Sequence, residues 1–202
     1  MRRRPFERWV AKPIIFLLAL TPALALTVAA VTNRLGANPI ESLTHETGAW
    51  ALRFLLLALA ITPLRRLSGW NAPVRFRRML GLFAFFYVLV HFLVFSVLDH
   101  FFAWDDILAD IVKRPYITVG FLGLVLLTPL AITSTHGMLR RLGAKRWKTL
   151  HRLAYFAAGA GVLHFLWLVK ADLREPLIYL SVLTLLLVLR LPMRERRSAT
   201  TG

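Results

Sequence analysis

Three histidines of this sequence lie in or beside long apolar stretches. His91 stands in FAFFYVLVHFLVF, and His151 and His164 stand near the two ends of LHRLAYFAAGAGVLHFLWLV. A histidine in a membrane segment marks a candidate functional site, because a polar ring in hydrocarbon needs a partner. Neutral imidazoles on facing helices are typical axial ligands of haem iron. Since the chain contains no cysteine, we expect a non-covalently bound haem and exclude thiolate metal sites, iron–sulfur clusters and c-type haem attachment.

The depth of each histidine in the membrane decides which two can share one iron. Counted from the same membrane face, His91 lies about 12 residues into its segment and His164 about 14 residues into its own. At 1.5 Å per residue the two depths differ by only about 3 Å. We therefore expect His91 and His164 to hold one haem from both faces. The competing interpretation for each is a structural hydrogen bond between helices.

His151 lies about 20 Å from His164 along a helix and about 140° around it, so the two do not share a face. The equivalent position before His91 holds Arg78. Four roles remain open for His151. It could ligate a second haem with an unusual partner, alternate with His164, hydrogen-bond a quinone or flavin, or extend to the interface.

Four other polar side chains need an interpretation. Arg53 lies inside the second apolar segment and suits a haem propionate, although extension to the interface explains it nearly as well. His45, His100 and His136 fall in connections, where we expect them to be solvated.

Six apolar segments would position these residues, in a chain that is 57% hydrophobic. They cover about 14–31, 48–64, 79–98, 116–133, 150–169 and 176–191, and the second and sixth are short for a bilayer crossing. The connections are too brief for a separate soluble domain. The sequence therefore predicts an all-α integral membrane protein, a six-helix transmembrane bundle forming one domain over 1–202. No repeat of fixed period is evident.

Proline and small residues modify this simple helical pattern. Pro22, Pro63 and Pro129 lie inside or at the ends of segments, where neighbouring groups must satisfy the carbonyl that each proline frees. The small-residue run 157–161 allows another helix, or a flat macrocycle, to approach the fifth segment closely.

The net charge of +16 is distributed unevenly along the chain. The N-terminus, the second and fourth connections and the C-terminus are basic, whereas the alternate connections hold most of the acids. By the positive-inside rule, both termini and the arginine-rich connections are cytoplasmic. Orientation accounts for the basic residues, so nucleic-acid binding is not expected. The basic residues include Arg2, Arg3, Arg4, Arg65, Arg66, Arg77, Arg140, Arg141, Arg194, Arg196 and Arg197.

Other catalytic motifs are absent from the sequence: it has no P-loop, no H-E-x-x-H and no dinucleotide-binding glycine pattern. The acids cluster in connections and not in mid-segment, which argues against an ion-coupled transporter.

Four runs resemble a known family: TGAWALRF (47–54), TPLRR (62–66), RRMLG (77–81) and RRLGAKRWKTLHRLAY (140–155). They are similar to the MsrQ (YedZ) family, the haem-binding membrane subunits of the periplasmic protein-methionine-sulfoxide reductase system. That family belongs to the ferric-reductase-like transmembrane group, in which NADPH oxidases are distant relatives. The resemblance covers essentially the whole chain, and the run ending RWKTLHRLAY is its most specific part.

The resemblance implies a multi-pass protein of the bacterial inner membrane that holds haem b, with FMN also described for the family. Electrons would come from the quinone pool or a cytosolic flavin reductase and pass to a periplasmic molybdopterin enzyme, which reduces methionine sulfoxide. The family's haem-linked histidines map onto His91, His151 and His164. Oxidase relatives carry two histidines on each of two helices, and Arg78 replaces one of them here. Arg77, Arg78 and Trp147 are candidates for binding an FMN phosphate.

We therefore expect an electron-transfer subunit of an oxidoreductase system, rather than its catalytic subunit. The acidic connection 99–110 would dock the periplasmic partner by complementary charge. The alternatives are a stand-alone membrane reductase of ferric or other metal ions, a transporter and a purely structural membrane subunit.

Overall fold

The computed structural model describes residues 7–169 and 171–191, which form eight α-helices and no β-strand. A π-helical turn (Glu7–Ala11) precedes the first helix, a 3₁₀ turn (Ala72–Arg75) precedes the third, and a π-helical stretch (Val94–Asp99) continues the third. The helices are α1 (Lys12–Val31), α2 (Pro39–Ser68), α3 (Arg77–Leu93), α4 (Trp104–Lys113), α5 (Pro115–Ile132), α6 (His136–Leu150), α7 (Leu153–Leu168) and α8 (Arg174–Val188).

Each apolar segment of the sequence is helical, and several helices suit a bilayer. Four stretches are long and apolar enough to cross one: Trp9–Val31, Pro39–Ser68, Arg77–Asp99 and Pro115–Ile132. The apolar helix α7 is shorter, with 16 residues, and α8 has 15. The chain is therefore an all-helical, multi-pass membrane protein.

Helix α2 is longer than the sequence pattern predicts. The prediction of a short segment at 48–64 is wrong, because the helix has 30 residues and begins at Pro39. The Asn38 side chain caps its start by accepting a hydrogen bond from the backbone N–H of Glu41. The helix ends at Gly69, whose φ of 68° is the left-handed conformation typical of a helix C-terminus. Hydropathy missed the first turns because they are polar.

Two further helices lie in stretches that the sequence pattern treats as connections. Helix α4 is a short amphipathic helix between α3 and α5. Helix α6 is polar, begins at the cap Thr135 and bends at Gly143, where φ is 74°. Neither was predicted, because hydropathy finds long apolar runs and overlooks short amphipathic or polar helices.

The core forms around α2, which contacts α3, α7 and α8. Phe54 of α2 stacks on Tyr87 of α3 with ring centroids 5.3 Å apart, and Tyr87 is fully buried. Helices α5 and α7 pack closely through small residues, with Gly123 facing Ala157 and Ala160. The predicted close approach at the small-residue run of α7 is confirmed for a neighbouring helix.

Side chains satisfy the carbonyls freed by two of the prolines. Pro63 removes the N–H that would bond the Leu59 carbonyl, and the Arg190 guanidinium donates to that carbonyl instead. Arg190 also donates to the Tyr155 hydroxyl, so it joins α2, α7 and the end of α8. This confirms, at Pro63, the expectation that a neighbouring element supplies the missing donor.

Pro22 of α1 is handled in a similar way. The Thr21 hydroxyl donates to the Leu18 carbonyl at 2.7 Å, which is the carbonyl that Pro22 frees. Across the same turn, the Tyr87 hydroxyl donates to the Ala19 carbonyl at 2.9 Å and accepts from the Ala23 N–H at 3.0 Å. Helix α3 is thereby tied to the bend of α1.

The helices carry unlike charges at their two ends. We call the end where α2 begins and the continuation of α3 stops the acidic end, and the opposite end the basic end. The acidic end carries Glu41, Glu46, Asp99, Asp105, Asp106, Asp110, Asp172 and Glu175, and the basic end carries Arg65, Arg66, Arg77, Arg78, Arg140, Arg141 and Arg190. The arginines at 2–4, 194, 196 and 197 lie outside the described residues.

Candidate functional site

Two histidines face each other near the acidic end. The ring centroids of His91 on α3 and His164 on α7 are 6.1 Å apart, and the ring planes are 78° apart. The structure thus brings together the two residues that the helical rise places at one depth. Both residues are partly buried, and the protein supplies a hydrogen-bond partner for one nitrogen of each ring.

A backbone carbonyl holds each of these rings by its Nδ1 atom. His91 Nδ1 lies 2.9 Å from the Thr44 carbonyl oxygen, and His164 Nδ1 lies 2.7 Å from the Tyr116 carbonyl oxygen. A carbonyl only accepts, so Nδ1 carries the proton and donates, and Nε2 keeps its lone pair free. Metal-binding histidines are commonly fixed in this way, with the second nitrogen hydrogen-bonded to a carbonyl.

A glycine makes room for each ring. A Cβ atom on Gly48 would lie 3.1 Å from His91 Nδ1, and one on Gly120 would lie 2.8 Å from His164 Nδ1. In each helix the glycine follows the accepting carbonyl by one turn, so it stands over that carbonyl on the helix surface. A Cβ atom at either position would push the ring away from that carbonyl and weaken the hydrogen bond. The sequence pattern gave no sign of these glycines, because their role depends on the direction in which each helix faces.

The two histidine arrangements repeat one another. Thr44, Gly48 and His91 correspond to Tyr116, Gly120 and His164, and the histidine follows the residue with the accepting carbonyl by 47 positions in the first set and 48 in the second. The helix pairs α2–α3 and α5–α7 therefore each contribute one imidazole in the same manner. The sequence shows no repeat of fixed period, and so it does not reveal this structural repeat. Only three positions in each half of the chain define the repeat.

The paired rings fit the axial ligation of a haem. An iron bonded to both Nε2 atoms at about 2 Å would separate the ring centres by about 6 Å. The observed separation is 6.1 Å. Both Nδ1 atoms are already bonded to carbonyls, so the nitrogens left to bind a metal are the two Nε2 atoms. The donor set is purely imidazole, which suits haem iron.

His151 lies elsewhere, in the turn between α6 and α7 at the basic end. Its Nδ1 lies 3.0 Å from the Trp147 carbonyl oxygen, and its ring stacks on the Trp147 indole with centroids 3.7 Å apart. Its Nε2 is buried and has no hydrogen-bond partner within the described part of the chain. The Trp147 indole N–H donates to the Thr133 carbonyl at 2.9 Å, which fixes the stacked pair.

Two of the three arginines predicted for cofactor binding, Arg53 and Arg78, have protein partners. Arg78 lies 3.5 Å from His136 Nε2 at the basic end. Arg53 donates to the Tyr179 hydroxyl at 2.9 Å and lies 4.7 Å above the Trp50 ring. Its guanidinium is also 3.9 Å from a Glu46 carboxylate oxygen. Arg53 therefore joins α2 to α8.

The remaining histidines are not all solvated. His45 and His136 are exposed, as expected. The expectation for His100 is wrong, because its side chain is only 14% exposed and its Nε2 lies 3.2 Å from an Asp110 carboxylate oxygen. Helix α4 folds back over the end of the α3 continuation and encloses this imidazole, an arrangement that the connection's polarity did not reveal.

Comparison with known proteins agrees with this architecture. Residues 47–162, which contain His91 and His151 and end two residues before His164, match the family described as ferric reductase like transmembrane component. This match covers more than half of the chain and, together with the helical fold, shows a ferric-reductase-like membrane protein.

Three similar proteins identify the family more specifically. A protein of Herminiimonas arsenicoxydans is 52% identical over 98% of this chain and 94% of its own length. One of Rhodospirillum rubrum is 57% identical over 91% and 89%, and one of Polaromonas naphthalenivorans is 49% identical over 90% and 85%. All three are named protein-methionine-sulfoxide reductase heme-binding subunit MsrQ. The chain belongs to the MsrQ family.

Proposed function

We propose that this protein is the haem b membrane subunit of a protein-methionine-sulfoxide reductase, with His91 and His164 as the axial ligands. The observation that carries the proposal is the facing pair of imidazoles, each with Nδ1 on a backbone carbonyl and Nε2 free. A haem held there would supply one-electron transfer at a potential set by its ligands and surroundings.

The protein's own part is to fix the two imidazoles before the cofactor arrives. The Thr44 and Tyr116 carbonyls select the tautomer that leaves Nε2 available. Gly48 and Gly120 permit the close approach that those bonds need. Because the ligands come from two helix pairs, their separation is set by the packing of α2–α3 against α5–α7.

The names of the relatives support the choice of partner, a methionine-sulfoxide reductase. We further propose six membrane spans in the bacterial inner membrane, with both termini and the basic end in the cytoplasm. The acidic end then faces a periplasmic molybdopterin subunit. Electrons enter from the quinone pool or a cytosolic flavin reductase. The catalytic reduction of methionine sulfoxide belongs to the partner.

His151 is proposed as the centre of a second site at the basic end. A buried Nε2 without a partner is costly unless a ligand supplies one. Trp147 and the nearby arginines suit either a second haem or FMN, and a quinone is the third candidate. In each case Trp147 orients the imidazole through its carbonyl and its stacked ring.

The test is the reduced-minus-oxidised visible spectrum of the purified protein, with haem per chain quantified. We expect a low-spin b-type spectrum that is lost in His91→Ala and in His164→Ala. His136→Ala, which removes an exposed histidine, is the matched control and should leave that spectrum intact. A partial loss in His151→Ala would assign a second haem, and no loss would favour a flavin or quinone there. A colourless wild type after expression with ample haem would refute the proposal and favour a transporter.

A second candidate is a stand-alone ferric reductase, which the name of the matching family favours. It would reduce ferric chelates directly, without a partner protein. Comparing the rate of chelate reduction with and without the sulfoxide reductase subunit separates the two functions.

A further inference from the structure

Helix α4 is held at the acidic end by both of its neighbours. Its first residue, Trp104, follows the end of the α3 continuation at Asp99 by only a few positions, and Pro115 begins α5 directly after Arg114. Ile107 is 1% exposed and fixes one side of α4 to the protein. Asp110 adds contacts to His100 and Arg114. The two long apolar helices thus set the height of α4 at the membrane boundary.

One face of α4 is apolar and lacks a protein partner among the described residues. Trp104, Leu108 and Val112 recur at every fourth position, so they share one side of the helix, and Val112 is 80% exposed. Asp106 and Lys113 occupy the other side, and Asp105 lies at the edge of the apolar side, about 20° around the axis from Val112. The helix therefore has a strong division between apolar and charged faces.

The turn before α4 extends this apolar face at a conformational cost. Phe101 and Phe102 have φ angles of 47° and 60°, a left-handed conformation that bulky residues rarely adopt. The Phe102 N–H donates to the Ser96 carbonyl at 2.9 Å, and the Ala103 N–H donates to the His100 carbonyl at 2.8 Å, which hold the turn. Both rings are exposed, Phe101 by 80%. Exposing the two phenylalanine rings to water does not offset the conformational cost of this turn. Placing them in hydrocarbon does, because it removes their apolar surface from water.

We infer that α4 is a membrane-surface helix, whose face of Trp104, Leu108 and Val112 and the preceding pair of phenylalanines lie in the lipid leaflet at the acidic end. Amphipathic helices lie in the interface with their apolar face in the acyl boundary, and tryptophan is enriched at that depth. The exposed apolar surface of α4 continues that of α3 and α5, which lipid must cover. The acids of α4 repel anionic headgroups, so apolar area provides the attraction.

This placement gives the acids of α4 a fixed position. With its apolar face in lipid, α4 presents Asp106 to the aqueous phase just above the membrane and holds Asp105 at the boundary of that face. The inference requires that α3 and α5 cross the bilayer, and it does not depend on haem binding.

The absence of cysteine makes the test direct. Single-cysteine variants Leu108→Cys and Val112→Cys, with Asp106→Cys and Lys113→Cys as controls from the opposite face, are spin-labelled in the full-length protein. The protein is placed in nanodiscs of phosphatidylethanolamine and phosphatidylglycerol. Collision of each label with oxygen, which concentrates in lipid, and with a water-soluble nickel chelate is measured by power saturation.

We expect labels at 108 and 112 to collide with oxygen several-fold more than with the nickel chelate, and labels at 106 and 113 to show the reverse. High nickel accessibility on both faces would place α4 in water and overturn the inference. Protection of 108 and 112 from both reagents would also overturn it, because a protein, either a second copy or a partner, would then cover that face.

Discussion

Gly48 and Gly120 are the two described glycines at which an added methyl group would make the shortest contacts. The added Cβ of Gly120→Ala would lie 2.8 Å from His164 Nδ1 and 3.0 Å from its Cε1. Because the added Cβ overlaps the present position of the ring, the imidazole must move away from the Tyr116 carbonyl, which weakens the bond between them. We expect haem per chain to fall several-fold in Gly120→Ala, and less in Gly48→Ala, where the corresponding contact is 3.1 Å.

The measurement for both glycine variants is haem content and the low-spin spectrum of the purified protein. Gly159→Ala on α7 is the control, because no atom lies within 4 Å of the added Cβ. A normal spectrum in Gly120→Ala would show that the ring does not need this close approach.

The Tyr87 hydroxyl stabilises the packing of α3 against α1. Tyr87→Phe keeps the stacked ring but removes the group that bonds Ala19 and Ala23 across the Pro22 bend. We expect a loss of about 1–3 kcal/mol in the free energy of unfolding, because buried polar groups lose their partner. Denaturation in detergent micelles measures it. The loss should shrink in a Pro22→Ala background, and equal losses in both backgrounds would contradict a role tied to the proline.

The sequence predicts that His91 and His164 lie close together, because both are histidines in apolar segments and the helical rise alone gives them nearly the same depth in the membrane. Orientation around the helix axis is harder to predict. The carbonyls of Thr44 and Tyr116 carry no sequence signal, since every residue has a carbonyl and only geometry selects these two. His100 was misjudged for the same reason, because its enclosure depends on α4.

At the scale of elements, Arg190 links three helices where Pro63 interrupts the bonding of α2. Arg190→Ala leaves the Leu59 carbonyl and the Tyr155 hydroxyl without this donor. We expect unfolding to become easier by about 1–3 kcal/mol. Arg190→Lys should recover only part of this, because a single ammonium lacks the guanidinium fork that reaches both acceptors.

Arg65→Ala is the matched control for Arg190, since it removes the same charge from an exposed position at the same end. Its effect on the free energy of unfolding should stay within about 0.5 kcal/mol. Similar losses in both variants would attribute the effect to charge at the basic end and not to the bonds that Arg190 makes.

Hydropathy predicts the long apolar helices, which lipid or the protein core surrounds. Helix α4 and helix α6 were missed because their stability comes from an amphipathic face and from a side-chain cap, which short windows do not distinguish from a polar connection. The polar start of α2 was missed likewise, although Asn38 and Pro39 are an ordinary helix-start signal.

At the scale of the whole molecule, the separation of charge between the ends predicts how a partner docks. Replacing Asp105 and Asp106 together by lysine should slow electron delivery to the proposed partner subunit several-fold at low salt, without changing the haem spectrum. The difference should diminish as salt screens the charges. Stopped-flow reoxidation of the reduced protein by its partner measures the rate.

A double replacement of Asp172 and Glu175 by lysine is the control, because it changes the same charge at the same end on a different connection. Equal slowing by both pairs would indicate a general field effect and contradict a docking surface on α4. An unchanged rate in the Asp105 and Asp106 variant would also contradict it.

The repeated carbonyl–glycine–histidine arrangement divides the chain into two halves, which face each other at His91 and His164 and are also joined through Arg53 and Arg190. A haem bound between them would act as a crosslink, stabilising the assembled protein in proportion to haem supply. Chains in which the halves docked wrongly would remain without pigment and be the first to unfold. Cofactor loading would then serve as a checkpoint on membrane assembly, so that the cell's haem status limits how much of this protein accumulates.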